Sequence, residues 1–209
     1  RQLAEAVAGL AGDPAVRVLV LTGAGDRAFC AGLDLKELGR DAGALGSIEA
    51  RVVDPVTAIE ACPKPVIAAV NGVAVTGGFE LALARDGLIA SERARFADTH
   101  GRVGIMPGWG LSQKLSRVLG PYRAKEISLS GNFIDAATAE RWGLVNRVVA
   151  HGEVLAAAQA LARDMAEIDP GMLAGLKRLI DEGYGLPYRE ARALEAETSR
   201  RHNAAVVPG

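Results

Sequence analysis

Cysteine is scarce in this chain, and the two present, Cys30 and Cys62, lie too far apart for a C-x-x-C pair. A disulfide scaffold, a zinc cluster and a dithiol redox centre are therefore unsupported. Histidine is nearly as rare: His100, His151 and His202 show no i, i+4 pairing, and no metal is expected. No charge sign dominates. Lys+Arg number 24 against 25 Asp+Glu, net −1, which leaves no basic face for the phosphates of a nucleic acid. The longest uncharged stretch, Pro65 to Phe79, is broken by Asn71, Thr76 and glycines and falls short of the ~20 apolar residues of a bilayer span, so no membrane association is expected. No G-x-S-x-G occurs, so a serine nucleophile elbow is not indicated. The chain as given opens Arg1-Gln2-Leu3-Ala4-Glu5, without the apolar h-region of a secretory signal, and the expected compartment is the cytoplasm.

Aliphatic residues are plentiful. Hydrophobic residues make up 49% of 209 and aromatics only 4%, enough to bury a large core built on Val, Leu, Ile and Ala. Leu3, Ala6, Val7 and Leu10 fall at helical spacing until Asp13-Pro14, and Val16 to Thr22 then reads as a strand. Gly23 to Gly32 reads as a loop. A short amphipathic stretch, Leu33 to Leu38, precedes a helix from about Ser47 to Ala61, which Cys62-Pro63-Lys64-Pro65 breaks. Val66 to Val70 is a second continuous apolar strand, followed by a turn at Asn71-Gly72, Val73 to Val75, and a helix opened by Thr76-Gly77-Gly78 and running from Phe79 to Arg85. Gly87 to Ala90 and Ala94 to Ala97 read as short strands and Trp109 to Leu119 as a helix. Continuous rather than alternating apolar strands imply a sheet covered on both faces by helices, an α/β arrangement. Past Ala150 only helical patterns occur, separated by Asp169-Pro170-Gly171 and Gly183 to Pro187. The expected division is an α/β core over 1–150 and a helical region over 151–209. No internal repeat stands out.

Three segments bear on chemistry. Gly23-Ala24-Gly25-Asp26-Arg27-Ala28 fits the dinucleotide pattern G-x-G-x-x-A after a strand, yet Gly32 stands where the required helix should be propagating, and a plain glycine-rich turn is the better reading. In Ala31-Gly32-Leu33-Asp34-Leu35 and in Thr76-Gly77-Gly78-Phe79-Glu80, glycines precede a first helical turn, where backbone N–H groups lack intrahelical acceptors. Brought together, the two starts would make a two-donor hole for an oxygen gaining negative charge. Glu80, in an otherwise apolar helix, suits either a general acid or base of raised pKa or a simple complement to the helix dipole.

Ala28 to Glu37, Pro65 to Gly72, Gly77 to Ala82 and Gly104-Ile105-Met106-Pro107-Gly108, in this order and spacing, resemble the enoyl-CoA hydratase/isomerase, or crotonase, superfamily. The resemblance implies a crotonase-like spiral of ββα units with a C-terminal helical trimerisation region, a homotrimer or dimer of trimers, and coenzyme A thioester substrates, with CoA as part of the substrate and no separate cofactor. Carried over by position, the N–H groups of Leu33 and Gly77 would hold the thioester oxygen. Ala31, Leu33 and Leu35 would border the adenine, and Glu80 would be the first of two catalytic glutamates. The second glutamate is missing: His100 stands in its place, with Asp98 two residues earlier able to orient the ring if the segment is extended. Trp109 replaces a small residue and is placed at the acyl pocket. The activity implied is hydration of a 2-enoyl-CoA through an enolate. The alternatives are another acyl-CoA reaction of the family, such as isomerisation, decarboxylation or C–C hydrolysis, and a non-catalytic CoA-binding member.

Overall fold

The computed structural model describes residues 2–32 and 54–204. The expected stretch Leu33 to Leu38 and the beginning of the helix from Ser47 lie outside the described residues. Helix α1 (Gln2–Gly12) leads into β1 (Leu19–Thr22) and β2 (Ala28–Cys30). Helix α2 (Pro55–Glu60) follows, capped by Asp54, whose side chain accepts from the amide of Val56, with Pro55 in the first turn. Then come β3 (Val66–Val70), β4 (Val73–Val75) and α3 (Gly77–Leu83), and after them β5 (Gly87–Ser91), β6 (Arg95–Ala97) and the one-turn α4 (His100–Val103). Helices α5 (Leu111–Leu119) and α6 (Pro121–Ser130), strand β7 (Ile134–Asp135), helix α7 (Ala136–Trp142) and strand β8 (Arg147–Val149) complete the α/β part. Three longer helices end the chain: α8 (Val154–Ala166), α9 (Pro170–Tyr184) and α10 (Tyr188–Asn203).

Successive strands alternate between two four-stranded sheets, ordered β1-β3-β5-β8 and β2-β4-β6-β7. All neighbours are parallel except β6 and β7. Each strand pair is followed by a helix, so β1β2α2, β3β4α3 and β5β6α4 are turns of one spiral, the expected ββα repeat. No repeat was visible in the sequence because what recurs is burial at equivalent places and not residue identity. Both sheets need covers, which is why the apolar runs are unbroken. Val66, Ala68 and Val70 of β3 face the main core between the sheets, while Ile67 and Ala69 face outward and pack with Ile89 under Val154 and Ala158 of α8. Helix α8 is thus a wall of the fold. Helix α9 buries only Leu173, and α10 buries no residue. Lys177 of α9 pairs with Asp86, which also accepts the Val66 amide at 2.7 Å, tying α9 to the start of β3. Among the described residues no helix is long and apolar enough to cross a membrane.

The stretch read as one loop over 23–32 contains β2. Asn71 binds this connection back onto the sheet: its Oδ1 accepts from Gly23 N at 3.1 Å, and its Nδ2 donates to Gly23 O at 3.1 Å and Gly25 O at 2.8 Å. A Cβ on Gly23 would lie 2.1 Å from the Ala28 carbonyl oxygen, so glycine is required by the turn itself. The G-x-G-x-x-A pattern is therefore a turn that leads directly into strand β2 and not into a helix, and the dinucleotide reading fails on structure.

Candidate active site

Three features of the local chain bring Glu80 to its place. Thr76, between β4 and α3, adopts φ 54° and ψ −121°, a conformation a β-branched residue occupies only under constraint. Two bonds hold it there: its amide donates to Ala97 O at 3.2 Å, and its hydroxyl meets that of Thr99 at 2.7 Å. The reversal lets α3 start at Gly77 directly off the strand, with the Thr76 carbonyl accepting from Phe79 N and Glu80 N. Gly78 then lies so close to β2 that a Cβ would sit 1.9 Å from the Cys30 carbonyl oxygen. Phe79 packs on Phe96 of β6, ring centroids 5.5 Å apart.

The same turn approaches the end of β2. A Cβ on Gly32, whose φ is +87°, would be 3.2 Å from Gly77 N, and a Cβ on Gly77 would be 3.5 Å from Gly32 Cα. The two glycine-bearing turns are therefore adjacent in space. Gly77 N, the first amide of α3, meets no acceptor among the described residues. Ala31 is exposed beside Gly32, whereas Leu33 and Leu35 lie outside the described residues.

Glu80 is 2% exposed. Its Oε1 accepts from the backbone of Trp109 at 2.9 Å and of Leu111 at 3.4 Å, which leaves Oε2 facing His100 Nε2 at 3.6 Å. On its other side, His100 Nδ1 lies 2.8 Å from Asp98 Oδ1, and the His100 amide donates to the same oxygen at 3.1 Å. Asp98 and His100 are buried as well, 3% and 6% exposed. Burial pushes the Glu80 carboxyl above its ordinary range, against the lowering effect of the Trp109 amide, of His100 and of the Leu111 amide. Burial would raise Asp98 too, but hydrogen bonds from His100 and Ser128 outweigh it and hold that carboxyl below the ordinary range. Two carboxyl groups thus flank one imidazole with their affinities for protons driven apart.

Strand β6 ends at Ala97, so His100 lies in the first turn of α4 and not in an extended segment. The expected pairing with Asp98 forms nonetheless by a different route. Asp98 caps its own turn through the amide two residues on, and this brings its carboxylate to Nδ1. Trp109 stands at the edge of the cluster. A Cβ on Gly77 would be 3.1 Å from its Cζ3, and the indole also lines a cavity of about 720 Å³ together with Val56, Leu83, Val118, Ile180 and Tyr184. Glu80, His100, Gly77 and Trp109 are therefore brought together. Thr76, Thr99 and the amide of Leu111 are parts of the site that sequence reasoning did not find, since neither a positive φ nor a hydroxyl pair across 23 residues leaves a local signal. Among the described residues no group of three His, Cys, Asp or Glu side chains is placed to hold a metal ion.

Comparison with known proteins gives consistent relatives. A family model described as enoyl-CoA hydratase/isomerase matches residues 1–205. An Arabidopsis thaliana protein named "Probable enoyl-CoA hydratase 1, peroxisomal" is 42% identical over 200 residues, 96% of this chain and 74% of that one. Carnitinyl-CoA dehydratase of Proteus mirabilis is 40% identical over 182 residues, 83% of this chain and 70% of that one. Among solved structures, an enoyl-CoA hydratase from Bacillus anthracis matches with a TM-score of 0.90 at 34% identity, covering 95% of this chain and 78% of that one. An enoyl-CoA hydratase subunit from Geobacillus kaustophilus matches at 0.87 and 35% identity, covering 97% and 79%.

Proposed function

The chain belongs to the enoyl-CoA hydratase/isomerase (crotonase) family, and from that membership we propose that it is a lyase adding water to 2-enoyl-CoA thioesters, and removing it in reverse, through an enolate held at two backbone amides. The observation that carries the reading is the juxtaposition of the Gly32 and Gly77 turns with a buried carboxyl of raised pKa. In the reaction, the thioester oxygen gains negative charge when water attacks Cβ. The amides of Gly77 and Leu33 would receive it, and the loss of one such donor typically costs about 2.7–4 kcal/mol. Glu80 accepts the proton of the attacking water, a task for which a carboxyl raised toward neutrality is suited. His100 supplies the proton at Cα. Trp109 borders the acyl chain, and Ala31, Leu33 and Leu35 border the adenine.

CoA enters as part of the substrate, and the proposed steps use no other cofactor. A homotrimer or dimer of trimers in the cytoplasm belongs to the same proposal. One relative is named peroxisomal, and fractionation of the source cells distinguishes the two compartments.

The test is hydration of crotonyl-CoA and longer 2-enoyl-CoAs by wild type and Glu80→Gln. Loss of a general base predicts a fall in kcat of about 10²–10⁴-fold. Equal rates would remove Glu80 from the mechanism. Acyl-CoA binding by the wild type without turnover of any enoyl or β-keto thioester would select the non-catalytic reading that the missing second glutamate motivates.

A further inference from the structure

We propose that Asp98 is the positioning residue of this site: by accepting the Nδ1 proton of His100 it fixes the ring so that Nε2 faces Glu80, making Glu80 and His100 an acid–base pair that passes one proton between them. The inference rests on the hydratase reading for its chemical steps, though not for its geometry. Three observations lead to it. First, the Asp98 carboxylate already receives the His100 amide at 3.1 Å and the Ser128 hydroxyl, so its direction is set by backbone and by α6, independently of the ring. Second, an ionised carboxylate only accepts, so the 2.8 Å contact at Nδ1 requires the proton on Nδ1. Third, the opposite ring nitrogen lies 3.6 Å from Glu80 Oε2, within ion-pair range and longer than a formed hydrogen bond, as apo sites commonly are. Glu80 cannot turn away, because Oε1 is held by two amides.

The cycle balances with this pair alone. The resting site carries one transferable proton, on His100 Nε2, beside the Glu80 carboxylate. The water oxygen bonds Cβ, the C=C electron pair moves to the thioester oxygen, and the water proton passes to Glu80. The enolate collapses, and Cα takes the Nε2 proton from His100. Glu80 then returns its proton to Nε2, and one H2O has been added. In a two-carboxyl site the acid is a neutral group. Here it is an imidazolium whose charge the Asp98 carboxylate balances. The charged groups facing the ring among the described residues are Glu80 from α3 and Asp98 from the turn before α4.

The experiment uses full-length wild type, Asp98→Ala, Asp98→Asn and His100→Gln, with crotonyl-CoA as substrate and ¹⁵N-histidine labelling. In the wild type without substrate, the imidazole signal missing from His100→Gln should show Nδ1 protonated whether the ring is charged or neutral, so that its neutral form is Nδ1–H. Asp98→Ala should shift it to Nε2–H and lower kcat by roughly 10²-fold, in line with loss of a general acid, with KM changed less than threefold. Asp98→Asn keeps an oxygen for Nδ1–H and loses the charge. It should retain the Nδ1–H form, recover most of the rate at pH 6.5, and fall behind wild type at pH 8.5. If Asp98→Ala does not fold, the Asp98→Asn profile decides: a constant ratio to wild type across that range overturns the proposal. An Nε2–H wild-type ring, or a folded Asp98→Ala with unchanged kcat and tautomer, overturns it as well. The tautomer is read on resting enzyme. A wild type inactive on every enoyl-CoA but showing Nδ1–H would therefore sink the hydratase reading and leave the positioning role standing.

Discussion

A carboxylic acid in an apolar helix has to be weighed against its cost, and Glu80 shows where that weight falls. Its ordinary value is 4.5, and burial holds it higher in the folded protein. Folding is therefore helped where the group is protonated, below its unfolded value, and that help is lost as pH rises through the folded value. Glu80→Gln keeps an oxygen for the Trp109 and Leu111 amides and removes the buried charge. The variant should melt higher than wild type at pH 8, with the difference gone by pH 4. A rise of about 2–4 °C corresponds to each kcal/mol for a chain of this size. Thermal melts at the two pH values check it, and a lower melting temperature at pH 8 would mean that the pair with His100 outweighs the burial. The proposed catalytic role of Glu80 thus comes at the expense of stability, the usual tension at a functional site.

Between elements, close approach of backbones does what side chains cannot. Helix α3 touches β2 at Gly78, where a Cβ would meet the Cys30 carbonyl oxygen at 1.9 Å, whereas Gly87 in β5 has its nearest neighbour, a Leu161 methyl, at 3.7 Å. Gly78→Ala must push α3 off the sheet, and overpacking of this kind costs about 1–3 kcal/mol or more. Gly87→Ala makes only ordinary contacts. Urea midpoints should fall for the first and stay near wild type for the second, and hydratase activity should fall with the first because Gly77 and Glu80 ride on the displaced helix. Elements also mark the limit of what a linear reading resolves. Ala28-Phe29-Cys30 is too short to show a period, and only its pairing with β4 makes it a strand. By contrast, Val66 to Val70 is legible with its bounds, because five consecutive apolar residues before Asn71-Gly72 admit few other folds.

Across the whole molecule, burial is uneven. The sheets and α8 share two packed cores, while Ile180 and Tyr184 of α9 and Tyr188 of α10 are 69%, 61% and 80% exposed. Ile180 and Tyr184 are four residues apart on one helical stripe. An apolar stripe of this kind on a helix with little core of its own fits the proposed trimer. Sedimentation equilibrium should give a mass of three or six chains. The double substitution Ile180→Glu with Tyr184→Glu should shift it toward the monomer without changing the far-ultraviolet circular dichroism. An unshifted mass would place the subunit contact elsewhere.

Local chemistry along the chain suffices for the α/β class, for most strands and helices, for the two glycine-bearing turns and for Glu80 as a residue to watch, while His100 is singled out only by the family resemblance. These depend on apolar runs, on turn residues and on ordered motifs, all of which are local and survive in one dimension. The spiral itself, the Thr76–Thr99 bridge, the amides that hold Glu80 and the facing of Nε2 toward Oε2 depend on chain segments 20 to 31 residues apart meeting at 2.7–3.6 Å. Sequence separation says nothing about such meetings, because they are produced by sheet pairing and by a strained backbone reversal, and both exist only once the parallel strands have closed the turns of the spiral onto each other.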